Sequence, residues 1–144
     1  SMQIKDVMSP QCEWIAPDAT LEQAAQIMKK KDIGFLPVGE NDKLIGAITD
    51  RDIVIRAISA GANPSSQVRD VMSPQVKYCF DDQAVDEICQ NLSDIKMRRL
   101  PVVNRDKRLV GVVTLGNLSQ AQAQQSGEAL QHITKEQNRA SEAA

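Results

Sequence analysis

The chain has 144 residues, of which 42% are apolar and 25% charged, with a formal net charge of −2. That length suits one domain or two small, closely paired halves. Acids and bases are mixed along the chain, which excludes the basic stripe of a nucleic-acid binder, and no run of about 18 apolar residues offers a membrane span.

Aromatic residues are limited to Trp14, Phe35, Tyr78 and Phe80, so the core has to be built from Ile, Val, Leu, Ala and Met. The cysteines, Cys12, Cys79 and Cys89, are odd in number and form no C-x-x-C pair, so neither a disulfide framework nor a zinc site is expected. Cys89 reads as a small core residue. The N-terminus lacks the basic-then-apolar pattern of a signal peptide, and the expected location is the cytoplasm.

In chain order, a short turn through Asp6-Val7-Met8 comes first, then an extended segment at 13–15. Leu21, Ala24, Ala25 and Met28 follow at i, i+3, i+4, i+7, which predicts an amphipathic helix, with Thr20 and Gln23 as its cap. A strand through Leu36-Pro37-Val38, a polar turn at 40–43 and a second strand over 44–48 complete a hairpin. A helix from Asp50 to about Ala60 follows, with Ile53, Val54 and Ala57 as its apolar face.

The same order then repeats. Asp6-Val7-Met8-Ser9-Pro10-Gln11 recurs letter for letter as Asp70-Val71-Met72-Ser73-Pro74-Gln75, an offset of 70 − 6 = 64. The offset aligns Trp14 with Tyr78, and Leu36-Pro37-Val38 with Leu100-Pro101-Val102. Val85, Ile88, Cys89 and Leu92 repeat the helical face. One residue inserted in the polar hairpin turn, where it costs little, shifts the offset to 65. Leu44-Ile45-Gly46 then matches Leu109-Val110-Gly111, and Thr49 matches Thr114. Two β-α-β-β-α units result, an α+β fold. Neither unit has the apolar surface to stand alone, so two sheets packed face to face about a pseudo-twofold are expected. The units span 1–60 and 69–119, joined by a linker at 61–68, with a polar tail at 120–144.

Thr49 and Asp52 stand at the turn from strand to helix. A helix start presents free N–H groups and partial positive charge, and a hydroxyl beside a carboxylate can hold a sugar diol. The same Thr-x-x-Asp spacing is close to a capping box, which needs no ligand.

The duplicated pattern resembles a tandem pair of CBS domains, a Bateman module, over residues 5–119. The family's ribose motif, Gly-h-h-Thr/Ser-x-x-Asp with h apolar, is matched in full by Gly46-Ala47-Ile48-Thr49-Asp50-Arg51-Asp52. The resemblance implies a stand-alone sensor or regulatory module that binds an adenosine-containing ligand between the repeats. It assigns Thr49 and Asp52 to the ribose. It also assigns Arg98 and Arg99, just before Leu100-Pro101, to the phosphate. Val7, Met8, Leu36 and Pro37 are its nominees for adenine.

The second copy of the motif departs from the pattern, with Asn117 in place of Asp. The matching site would combine Thr114 and Asn117 with Gly34 and Phe35. One strong and one weaker site per chain are therefore expected. Two arginines favour a phosphorylated ligand (AMP, ADP, ATP or NAD) over S-adenosylmethionine, with no metal required. Arg51 and Arg56 follow the motif; Arg56 reads either as an ion-pair partner of Asp52 four residues away or as a contact to a distal phosphate.

No P-loop, Gly-x-Gly-x-x-Gly or Ser-His-Asp set occurs, and the single histidine, His132, lies in the tail, so no enzyme is expected. The resemblance further implies a homodimer and an effector protein that the sequence does not name. The alternative is a structural dimerisation module whose ligand sites do not function. The tail, with Leu130 and Ile133 as its apolar anchors, reads as a long helix, a broken pair or a partly disordered segment.

Overall fold

The computed structural model describes residues 2–91 and 98–143. Leu92, expected on the second helical face, lies outside that range, as do the side chains of Leu130 and His132. Two small sheets and their helices make up the α+β fold.

In the first half, α1 (Ile4–Val7) precedes α2 (Leu21–Lys31). Helix α2 starts on the expected capping box: Gln23 N–H donates to Thr20 Oγ1 at 3.1 Å, and Thr20 N–H donates to Gln23 Oε1 at 3.0 Å. It ends at Asp32 in the left-handed region, φ 53°. Strands β1 (Phe35–Glu40) and β2 (Lys43–Thr49) pair antiparallel. The extended segment before α2 shrinks to one parallel bridge, Ile15 to Val38.

Beyond β2 the chain winds through a π-helical stretch, Asp52–Ala57, into a 3₁₀ turn, Ile58–Ala60. The wider turn rotates the apolar face away from the expected one. Ala57 is buried and Ile53 half-buried, but Val54 points to solvent. The linker lies along the start of α2, where Leu21 N–H donates to Ser66 O and Glu22 N–H to Pro64 O.

The second half repeats this with β3 (Cys79–Phe80), α3 (Val85–Gln90), β4 (Arg99–Val103) and β5 (Leu109–Thr114), in sheet order β3-β4-β5. Both hairpins carry a bulge at the same place, after Val38 and after Val102. The inserted residue is visible in the turns. Asn41 and Asp42, φ 52° and 65°, make a two-residue turn. The longer turn has one left-handed residue, Lys107, φ 63°, and Asn104 Oδ1 accepts from the backbone N–H of Asp106 and Arg108. Helix α4 (Leu115–Ala143) is continuous, so the tail extends the closing helix of the second repeat.

Each half has its own aliphatic core. One gathers Ile15, Leu21, Ala24, Met28, Leu36, Val38 and Ile48; the other gathers Cys79, Val85, Ile88, Leu100, Val102, Val113 and Leu118. The repeated Asp-Val-Met segments cross between them. Ile4 is buried in the second core, whereas Val68 and Val71 are buried in the first. Ser9 exchanges backbone hydrogen bonds with Val112 in the second sheet, and Ser73 exchanges them with Ala47 in the first, at 2.8 and 2.9 Å in each case. Glycine allows the close approach: a Cβ on Gly46 would lie 2.7 Å from Ser73 O.

Candidate functional site

The site begins at the end of β2. Leu44, Ala47 and Ile48 bury that strand and so fix where Thr49 emerges. Thr49 N–H donates to Asp52 Oδ2 at 3.0 Å, and Asp52 N–H donates to Thr49 Oγ1 at 3.0 Å. The capping geometry is thus complete, yet it uses only one carboxylate oxygen. Asp52 Oδ1 lies 4.0 Å from Arg56 Nη1, a long contact, and the Asp52 side chain keeps 20% of its exposure. Arg56 thus stands at the outer limit of ion-pair distance from Asp52.

A cleft of about 640 Å³ opens beside this turn, within the size range of small-ligand sites. Thr49, Asp52, Arg98 and Arg99 line it together, with Ile33, Phe35, Ala47, Ser73 and Gln75. Arg98 and Arg99 are exposed, and neither side chain has an ion pair among the described residues. The cleft therefore combines a carboxylate that commits one oxygen to the cap with two cations that have no ion pair among the described residues.

Several other expected residues lie elsewhere. Because the repeated segments cross, Val7 and Met8 sit at the second sheet: Val7 stands beside Asn117, and Met8 Sδ packs against Gly111. Leu36 is fully buried in the first core. Pro37 lines a neighbouring cavity of about 150 Å³, which shares Ile33, Phe35 and Arg99 with the main cleft. Met72-Ser73-Pro74-Gln75 brings Ser73 and Gln75 to the positions the first copy was expected to fill. Those residues were visible as a repeat, but the letters do not say which sheet each copy joins.

Gly34 and Phe35 also line the Thr49 cleft, not the cleft at Asn117. Gly34 makes room for Asp50: a Cβ there would lie 2.7 Å from Asp50 Oδ2, and Asp50 N–H donates to Gly34 O. In the second repeat the same backbone bond joins Leu115 N–H to Arg98 O. The two asymmetries, Gly34 against Arg98 and Asp50 against Leu115, are thus neighbours in space.

At the second copy, Thr114 N–H donates to Asn117 Oδ1 at 3.1 Å, and Asn117 N–H donates to Thr114 Oγ1 at 3.0 Å. The cavity beside Asn117 is about 150 Å³, lined by Val7, Gln120, Ala121 and Gln124. Burial pushes the thiols of Cys79 and Cys12 up, to about 12 and about 11, so both stay protonated near neutrality. Among the described residues no three His, Cys, Asp or Glu side chains converge as a metal site.

The CBS-domain model matches residues 4–58 and 68–124, and the chain belongs to the CBS-domain family as a tandem pair. It is 34% identical over 133 residues to the CBS domain-containing protein YhcV of Bacillus subtilis, covering 91% of this chain and 94% of that one. Its fold is similar to hypoxic response protein I, solved with two coordinated zinc ions (TM-score 0.73, 32% identity, 84% of this chain, 99% of the other). It is also similar to CBSX2 of Arabidopsis thaliana in complex with AMP (0.73, 27%, 88% and 99%). The CBS pair of protein MJ0100, with 5-methylthioadenosine and S-adenosylmethionine, is a further likeness (0.68, 26%, 86% and 98%).

Proposed function

We propose that the chain is a non-enzymatic regulatory module that binds a phosphorylated adenosine ligand (AMP, ADP, ATP or NAD) in the cleft of Thr49, Asp52, Arg98 and Arg99. One observation carries this reading: the Asp52 carboxylate, which commits one oxygen to the cap, shares a single cleft with the Arg98 and Arg99 guanidinium groups, which have no ion pair among the described residues. Ribose hydroxyls donate to the carboxylate, and phosphate oxygens accept from Arg98 and Arg99; both are charge-assisted bonds. Ile33, Phe35 and Ala47 supply the apolar wall for a base. The AMP complex of CBSX2 supports the ligand class.

The Thr114/Asn117 site is the weaker one. Asn117 offers a neutral acceptor where Asp52 offers a charged one, and the cavity beside it is smaller. The module acts in the cytoplasm as a homodimer. It passes the signal to an effector protein when the ligand favours one arrangement of the repeats. A second reading, a structural dimerisation module, is favoured by the closed cap at Thr49 and Asp52.

Thermal denaturation with AMP, ADP, ATP, NAD, NADH and S-adenosylmethionine separates the two, because a ligand that binds only the folded state raises its melting temperature. Stabilisation by a phosphorylated ligand, lost in Asp52→Asn, is the expected result. No shift with any of the six leaves the structural reading.

A further inference from the structure

The two repeats cover their matching aromatic residues differently. The offset of 64 sets Trp14 against Tyr78 and Ala16 against Phe80. In the second repeat the Tyr78 and Phe80 rings meet edge to face at 5.6 Å, and each lies near a cation from the hairpin turn. Arg105 stands 4.0 Å from the Phe80 ring and Lys107 5.1 Å from the Tyr78 ring. The first repeat has neither part. Ala16 supplies no ring, and no cation stands over Trp14 among the described residues. Trp14 is left 37% exposed. Its indole is still held in place, resting so close on β1 that a Cβ at Gly39 would lie 2.9 Å from its Cε3.

Beside the indole runs a groove of about 400 Å³ along α2. Ala16, Ala19 and Ile27 give it apolar walls, and the exposed Gln26 and Lys30 give it a polar side. Lys29 and Lys30 are exposed and have no ion pair among the described residues, whereas Lys31 is paired with Glu13. One end of the groove is therefore positive in a chain whose net charge is −2.

We propose that this groove docks a short segment of the effector protein in which an aromatic side chain stands beside acidic residues. The ring meets Trp14 as Phe80 meets Tyr78, and the carboxylates meet Lys29 and Lys30. The chain itself does not supply the occupant: its other aromatic residues, Phe35, Tyr78 and Phe80, are half-buried, and residues 120–144 contain none. The inference rests on the effector part of the proposed function and gives that partner a place and a chemistry. It is separate from the nucleotide part, because the groove shares no lining residue with the Thr49 cleft.

Trp14 is the only tryptophan, so its fluorescence reports on the groove in the full chain. The probe is a capped synthetic peptide with one phenylalanine between aspartates. Its two controls replace the phenylalanine with alanine or the aspartates with lysines. The probe is expected to shift Trp14 emission saturably, and both controls to bind about tenfold more weakly. Ala16→Phe builds into the first repeat the ring that the second already has, and should cut probe affinity about tenfold. Lys30→Glu, a change at an exposed position, should weaken the probe and strengthen the lysine control. Binding that survives both substitutions, equal binding of the three peptides, or no saturable shift at millimolar peptide overturns the inference. An emission shift that follows protein concentration without peptide also overturns it, since a second copy then fills the groove. Thermal stabilisation by AMP, read on the same samples, decides the nucleotide reading separately.

Discussion

Asp52 and Asn117 cap their helices with the same pair of hydrogen bonds: each accepts from a threonine N–H through one side-chain oxygen and donates its own N–H to that threonine's hydroxyl. The hydrogen bonds of the cap therefore do not need the negative charge, which only the first repeat carries.

Asp52→Asn tests this directly, because the second repeat already displays the product. Unfolding stability should change by about 0.5 kcal/mol or less, as the cap is kept. Affinity for AMP should fall by roughly 10-fold to 100-fold, the scale of a hydrogen bond to a charged group. Calorimetry of binding and denaturant unfolding on the same sample give the two numbers. A large stability loss with unchanged affinity would reduce Asp52 to a helix cap.

Arg98 and Arg99 are exposed and have no ion pair among the described residues, so replacing either with alanine should leave stability within about 0.5 kcal/mol. Both variants should lose affinity for AMP and keep that for adenosine. Equal loss for the two ligands would place the arginines away from the phosphate.

Gly46→Ala should act through the crossing segment. Its Cβ would press on Ser73 O at 2.7 Å and on Met72 Sδ at 3.0 Å. The backbone bonds between Ala47 and Ser73 would have to give way. A loss of about 1–3 kcal/mol is expected, read as a lower denaturant midpoint. Ser73 also lines the cleft, so ligand affinity should fall with it.

Cys79 sets an alkaline limit. Its thiol is raised from 9.0 to about 12 by burial. The folded chain keeps the proton where the unfolded chain releases it, so this contribution is intact below pH 9 and is lost as pH rises from 9 towards 12. Stability measured by denaturant titration should decline over that interval, and less steeply in a Cys79→Ala variant. At pH 8 the native thiol should resist a thiol reagent that labels it quickly once the chain is unfolded.

The letters alone determined the duplication, the two hairpins and the cap on α2, which follow from local spacing or from a repeat that any reader can align. That Arg98 and Arg99 share a cleft with Thr49 and Asp52 was an expectation of the family resemblance, since local spacing does not bring the two repeats together. Tertiary structure decided where the repeated Asp-Val-Met segments go. Identical sequence fits either sheet, and only the chain path and the close approach at Gly46 and Gly111 send each copy to the opposite core. That crossing moved Val7 and Met8 away from the cleft and brought in Ser73 and Gln75. The outward face at Val54 was likewise hidden, because a regular helical period assigns it to the core. The π-helical winding after Asp52 turns it to solvent, and periodicity carries no trace of a local change in winding.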